Sequence, residues 1–165
     1  MSDAKTLYNE DFVLWSKEQA EALRAAARGV TNRPIDWVNV AEEIDSLGRS
    51  DTRELASQIR RIIEHLLKLG NSRALDPRPG WIASIDDARN EIDVLLGDSP
   101  SLRTGIVEVI STETKRAARK AINALREYGE LDQAALARIQ TAAYTEEEVL
   151  GDWFPPEPEP RAEKP

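Results

Sequence analysis

Apolar residues recur along this chain at helical spacing, and no segment sustains the alternation of period two that a half-buried strand requires. A first helix is predicted from Glu10 to Arg28, with Phe12, Trp15, Gln19, Leu23 and Ala26 on one face and Gly29 stopping it. After a turn through Asn32-Arg33-Pro34, a second stripe carries Trp37, Val40, Ala41, Ile44 and Leu47 and ends at Gly48. Ser50 then caps a third stripe, Leu55, Ile59, Ile62, Leu66 and Leu69, which closes at Gly70. The stretch 36–69 reads equally as two helices or as one long bent helix.

Asn71 to Gly80 reads as a loop, with Pro77 and Pro79 in it. A fourth helix from Trp81 aligns Trp81, Ile85, Ala88, Ile92 and Leu95 and ends at Gly97. Ser99-Pro100 starts a fifth, because proline at the first helical position forfeits no internal hydrogen bond. That helix reaches Tyr128 along Leu102, Ile106, Ile110, Ala117, Ala121 and Leu125. Short helices follow over Asp132–Ile139 and after Thr145, where Thr145 and Glu148 have the spacing of a capping box. The expectation is an all-α helical bundle of about five main helices plus short C-terminal helices. It forms a single helical domain over residues 1–154, followed by a disordered Pro/Glu-rich tail over residues 155–165. Two joints look alike, Glu43-Ile44-Asp45-Ser46-Leu47-Gly48-Arg49-Ser50 and the run from Glu91 to Ser99, which fits a duplicated hairpin or two independent solutions to one turn.

Composition narrows the chemistry by subtraction. In 165 residues there is no cysteine, which removes disulfides, thiolate nucleophiles and cysteine-ligated metals. The single histidine removes every site that needs two imidazoles. A net charge of −8 disfavours nucleic acid and anionic membranes as partners. That charge is not uniform: residues 36–48 and 81–98 each sum to −4, while 49–80 and 99–129 each sum to +3. Alternating signs on successive helices are expected to meet at their rims. A charged N-terminus, no long apolar run and no cysteine point to the cytoplasm, with no membrane span.

Four groups of residues are candidates for chemistry or recognition. His65, beside Glu64 and flanked by Ile62-Ile63 and Leu66-Leu67, is either a base or a boundary histidine of its helix. Glu42, Glu43 and Asp45 are the catalytic candidates of an acidic face. Glu42 with Asp45, and Asp87 with Glu91, have the i,i+3 and i,i+4 spacing that could hold a hard divalent cation for phosphate-ester chemistry. The plainer reading is solvated acidic faces. Lys115, Arg116, Arg119 and Lys120 form a basic strip suited to RNA, DNA or an acidic partner, or simply to the dipole of their helix. Trp153, near the tail, is a further partner-binding candidate. No phosphate loop or dinucleotide fingerprint is present, so no cofactor is predicted.

Several motifs in order carry a resemblance. Leu7-Tyr8-Asn9-Glu10-Asp11-Phe12 with Trp15, Gln19 and Leu23 is one. Others are Glu42-Glu43-Ile44-Asp45-Ser46-Leu47-Gly48-Arg49-Ser50 and His65-Leu66-Leu67-Lys68. The last are Trp81 with Ser84-Ile85, Arg89 and Ile92, and Asp98-Ser99-Pro100-Ser101-Leu102. Over residues 7–154 the chain resembles an uncharacterised, mostly bacterial helical family, domain of unknown function number twenty-nine. The resemblance implies a short helical protein with no established activity. The family often has glutamine where this chain has Ala88, and a cysteine near its end that this chain lacks, although Tyr144-Thr145 and Trp153-Phe154-Pro155 are present. The reading that follows is a non-enzymatic helical protein–protein interaction module, binding an unknown protein partner or forming a homodimer. Its rivals are a metal-dependent phosphate-ester enzyme and a nucleic-acid binder.

Overall fold

The computed structural model describes residues 4–29 and 37–158. Among them are seven α-helices and one 3-10 helix, with no strand. The α-helices are α1 (Ala4–Glu10), α2 (Phe12–Ala27), α3 (Trp37–Asn71), α4 (Arg78–Asp98), α5 (Ile106–Glu127), α6 (Gln133–Gln140) and α7 (Glu146–Leu150). The 3-10 helix, Pro100–Gly105, leads into α5. The all-α expectation holds. The chain divides into two compact units, Met1–Leu55 with Asp93–Thr104 and Ala56–Ile92 with Gly105–Pro165, and α3 and α4 each contribute to both.

In the first unit, the helix expected from Glu10 instead starts at Phe12, because Asp11 ends one helix and caps the next. Its N–H donates to Leu7 O at 2.8 Å, and its carboxylate accepts from Leu14 N at 2.9 Å. The same carboxylate accepts from Ser101 N and Ser101 Oγ at 2.6 and 2.9 Å, while Ser99 Oγ accepts from Val13 N at 3.3 Å. Two helix starts therefore satisfy each other's orphan donors. With its hydroxyl engaged there, Ser99 opens the 3-10 helix rather than an α-helix, Leu102 N donating to Ser99 O at 3.1 Å.

The buried face of α2 is also rotated from the expected one. Val13, Ser16 and Ala20 are buried, whereas Phe12, Trp15, Gln19 and Leu23 are half-buried and Ala26 is exposed. Phe12 and Trp15 instead cluster with Tyr8, ring centroids 4.9–5.9 Å apart. The cause is Gly48. It does not end a helix: α3 runs unbroken over 35 residues, Ser50 is exposed within it, and buried Gly48 faces Ser16 Oγ and Val13 O. Any β-carbon there would collide with the Ser16 hydroxyl, so α2 meets α3 along small residues. Exposed Gly97, with nothing near it in the last turn of α4, is not its equivalent, and the two joints that look alike in sequence differ in structure. The predicted turn Asn32-Arg33-Pro34 lies outside the described residues.

The second unit follows the apolar pattern closely. Ile59, Ile62, Leu66 and Leu69 of α3 are buried, as are Ile85, Ala88 and Ile92 of α4 and Ile106, Ile110, Ala117, Ala121 and Leu125 of α5. Each large side chain contributes about 1.5–3 kcal/mol on burial, far above any exposed ion pair. Arg60 meets Glu113 and Glu64 meets Lys120, so α3 and α5 run in the same direction. The loop before α4 is shorter than expected, because Arg78 starts the helix and its guanidinium donates to Leu69 O and Ser72 O at 3.0 and 3.2 Å.

After α5 the chain reverses through Gly129, at φ 68°, with Glu130 N donating to Leu125 O at 2.8 Å, a turn that favours glycine. Asp132 caps α6, accepting from Ala135 N at 2.7 Å. The expected capping box opens α7: Thr145 Oγ1 accepts from Glu148 N and Glu148 Oε2 accepts from Thr145 N, at 3.2 and 2.8 Å. Of the predicted tail, Pro155 lies against Gly70 and Glu157 pairs with Arg78 at 3.6 Å, while residues 159–165 lie outside the described residues.

Alanine is the better helix former by about 1 kcal/mol, yet Gly48→Ala is expected to destabilise by about 1–2 kcal/mol through its clash with Ser16. The double variant Gly48→Ala/Ser16→Ala is expected to recover most of the loss. Urea unfolding of the three variants measures both, and additivity would contradict the contact.

Candidate functional site

The acidic face of α3 is arranged as ion pairs. Arg24 of α2 reaches Glu42 at 3.2 Å and Asp45 at 3.5 Å, and Arg49 reaches the same two carboxylates at 3.5 and 2.6 Å. Two arginines thus occupy the space in which Glu42 and Asp45 would ligate a cation, and Glu43 is exposed beside them. Farther along, burial and the neighbouring Asp98 charge push the Asp51 carboxyl above its usual value. Asp87 and Glu91 are exposed on α4, within the other unit. Among the described residues, no three histidine, aspartate or glutamate side chains gather where a metal ion could be held.

His65 lies half-buried in the second unit, its Nδ1 buried without a hydrogen-bond partner among the described residues. Burial pushes its pKa down, and Lys68, Arg61 and Lys120 add to the shift while Glu64 opposes it. Glu64 takes Lys68 at 2.6 Å and Lys120 at 3.6 Å. Burial works against the Glu64 carboxylate, but the hydrogen bond from Lys68 and the charges of Lys68, Lys120 and His65 outweigh it and hold the carboxyl below its usual range. Glu113, 2% exposed, sits between Ile110 and Ala117 on the buried stripe of α5 and takes Arg116 at 2.7 Å and Arg60 at 3.5 Å. The basic strip is therefore divided: Arg116 and Lys120 have carboxylate partners, and Lys115 and Arg119 are exposed. The Arg60–Glu113 and Glu64–Lys120 pairs join two helices of like net sign through their minority acids, which the alternating-charge expectation did not foresee.

Arg89, named in the sequence only as part of the family motif, is a buried polar feature whose role that reading missed. It is 8% exposed, and its guanidinium donates to Val149 O, Glu148 O and Trp153 O at 3.0, 3.2 and 2.8 Å. Its Cζ lies 4.9 Å from the centre of the Phe154 ring. Burial lowers its pKa, while Asp86 and Asp152 oppose the shift. Arg89 thereby fixes the end of α7 and the candidate Trp153, whose ring packs at 6.4 Å against Tyr144. Burial and the charge of Glu148 push the Tyr144 hydroxyl well above its ordinary pKa, so it is protonated at any physiological pH. A charge one residue after Ala88, on a stripe running from Ile85 to Ile92, was the available signal.

Two surfaces among the described residues bear on recognition. In the first unit, Val40 and Leu47 of α3 are 40% and 47% exposed, with half-buried Trp37 and Ile44 on the same stripe. Ala41 and Gly48, one step around the helix, are buried instead. In the second unit, a cavity of about 480 Å³ opens where the ends of α3 and α5 meet the first turn of α4, between Trp81 and Tyr128. No helix among the described residues is long and apolar enough to cross a membrane.

Residues 7–154 match the model of a family described as Domain of unknown function DUF29. The chain is also similar to a solved structure, an alpha-helical protein of unknown function from Rhodospirillum rubrum ATCC 11170. Their identity is 28% and their TM-score 0.70, over 88% of this chain and 89% of that one. No curated protein matches.

Removing the Arg89 guanidinium strands three carbonyl groups, so Arg89→Met is expected to cost about 3–5 kcal/mol in urea unfolding and to hasten proteolysis around Trp153. The lowered pKa of His65 sets a pH dependence. The unfolded imidazole takes its proton near its usual 6.5, while the folded one resists, so stability is full above that value and falls as the pH drops below it. Glu64 acts lower: its contribution is present above its usual 4.5 and is lost as the pH falls from there through its lowered folded value. Between about pH 7 and 5, His65→Gln is expected to flatten the stability profile measured by denaturant unfolding. An unchanged slope would assign the loss to other groups.

Proposed function

The chain belongs to the DUF29 family, whose function is unknown, and on that footing we propose that it acts without catalysis, docking an amphipathic helix of a protein partner on the open edge of α3. The observation that carries this reading is the exposure of Val40 and Leu47 on a stripe whose spacing is that of a helix–helix contact. The edge is flanked by the carboxylates of Glu43 and Asp51, so the partner helix is basic beside its apolar face. Arginines neutralise Glu42 and Asp45 on the opposite flank, which favours docking over the metal-dependent alternative. The division of the basic strip by Glu113 and Glu64 likewise weighs against RNA or DNA. The reading calls for no cofactor. It places the protein in the cytoplasm, in keeping with a chain free of cysteine.

A synthetic Leu/Lys amphipathic helix tests the reading by fluorescence anisotropy. Saturable binding is expected, lost on Leu47→Lys with circular dichroism unchanged, and weaker for a Leu/Glu helix of the same pattern. Equal binding of both helices, or binding unaffected by Leu47→Lys, would overturn it. A dimer that Leu47→Lys dissociates, seen by light scattering, would assign the edge to a second copy instead.

A further inference from the structure

The cavity of the second unit has a chemistry of its own, separate from the edge of α3. Its apolar walls are Trp81, from the first turn of α4, and Tyr128, which follows α5 and is 77% exposed. Its charged lining is Lys68, Glu127 and Glu130. The ammonium of Lys68 is already engaged, 2.6 Å from Glu64 Oε1, and presents chiefly its aliphatic stem. Against that one paired cation, the two glutamates set the sign of the lining. The carbonyl ends of α3 and α5 add negative potential there, although Arg78 offsets that of α3 through Leu69 O. Aromatic faces beside carboxylates attract an organic cation and repel an anion. The volume, about 480 Å³, suits a small molecule rather than a bare metal ion.

We propose that this cavity binds a small organic cation, an alkyl- or arylammonium group, with its apolar body against Trp81 and Tyr128 and its charge toward Glu127 and Glu130. The aromatic rings supply a charge-dependent attraction as well as buried area, and the glutamates exclude anionic analogues of the same shape.

Benzyltrimethylammonium chloride is the probe, titrated into the full chain by isothermal calorimetry at low salt. Benzyl alcohol and benzoate serve as its neutral and anionic counterparts. Saturable binding is expected for the cation, with affinity falling by about three- to tenfold on Glu127→Gln/Glu130→Gln and by a similar factor on Tyr128→Ala. Both variants alter rim side chains, and thermal unfolding confirms that each is folded. Trp81→Phe keeps an aromatic wall and is expected to retain binding, so it separates loss of the ring from loss of the fold. Absence of cation binding, tighter binding of benzoate, or affinity indifferent to the glutamates and to Tyr128 would overturn the proposal. None of these outcomes depends on the edge around Leu47.

Discussion

The close approach of α2 to Gly48 is the constraint from which much of the first unit follows. A glycine in the middle of a helix costs about 1 kcal/mol relative to alanine, and α3 accepts one because Ser16 occupies the space a β-carbon would fill. Gly48 meets Ser16 and the Val13 carbonyl there, and Ala20 and Ala41, also buried on these helices, are small. Larger apolar residues on either side cannot share so narrow a line. On α2 they form the half-buried Tyr8–Phe12–Trp15 cluster, and on α3 they become the exposed edge of Val40 and Leu47. The same close packing that joins the helices thus leaves the surface on which a partner could dock.

The second unit is governed by wide apolar stripes and tolerates two buried charges within them. Arg89 and Glu113 would be costly among Ile and Leu side chains if unpaired. Arg89 spreads its charge over three carbonyl oxygens and the Phe154 face, and Glu113 lies between two arginines. Their roles differ. Arg89 satisfies carbonyls around the last turn of α7, where the helix has no donors of its own, and so anchors a segment with little apolar area. Glu113, with Glu64, lets α3 and α5 lie alongside each other although both carry a surplus of positive charge.

What the sequence made legible follows from the range of the physics involved. Helical periodicity is local, so the stripes from Leu55 to Leu69 and from Leu102 to Leu125 were readable, as were the Thr145–Glu148 box and the cap at Asp132. Gly48 was misread as a helix end because a glycine that stops a helix and one that admits a neighbouring helix are the same letter. The register of α2 slipped for the same reason: burial of Ser16 and Ala20 rather than Phe12 and Trp15 is decided by the partner helix. The roles of Asp11, Arg89 and Glu113 were not readable, although the first two stand in the family motifs, because the partners that define them lie 53 to 90 positions away. His65 was legible as a boundary residue, but not the mainly cationic setting that opposes its protonation.

The distribution of satisfied charge connects the two open surfaces. Arginines pair with Glu42 and Asp45, and lysines with Glu64. Other carboxylates lie at the margins of the two surfaces, Glu43 beside the α3 edge and Glu127 and Glu130 beside the cavity. Each surface consequently pairs apolar contact area with negative charge at its margin, at opposite scales: a helical stripe in one unit and a small-molecule volume in the other. Apolar area sets how strongly such a surface can bind, while the charge at its rim sets which ligands approach and which are refused. On the two proposed readings, a cationic, amphipathic ligand is the class that satisfies both demands.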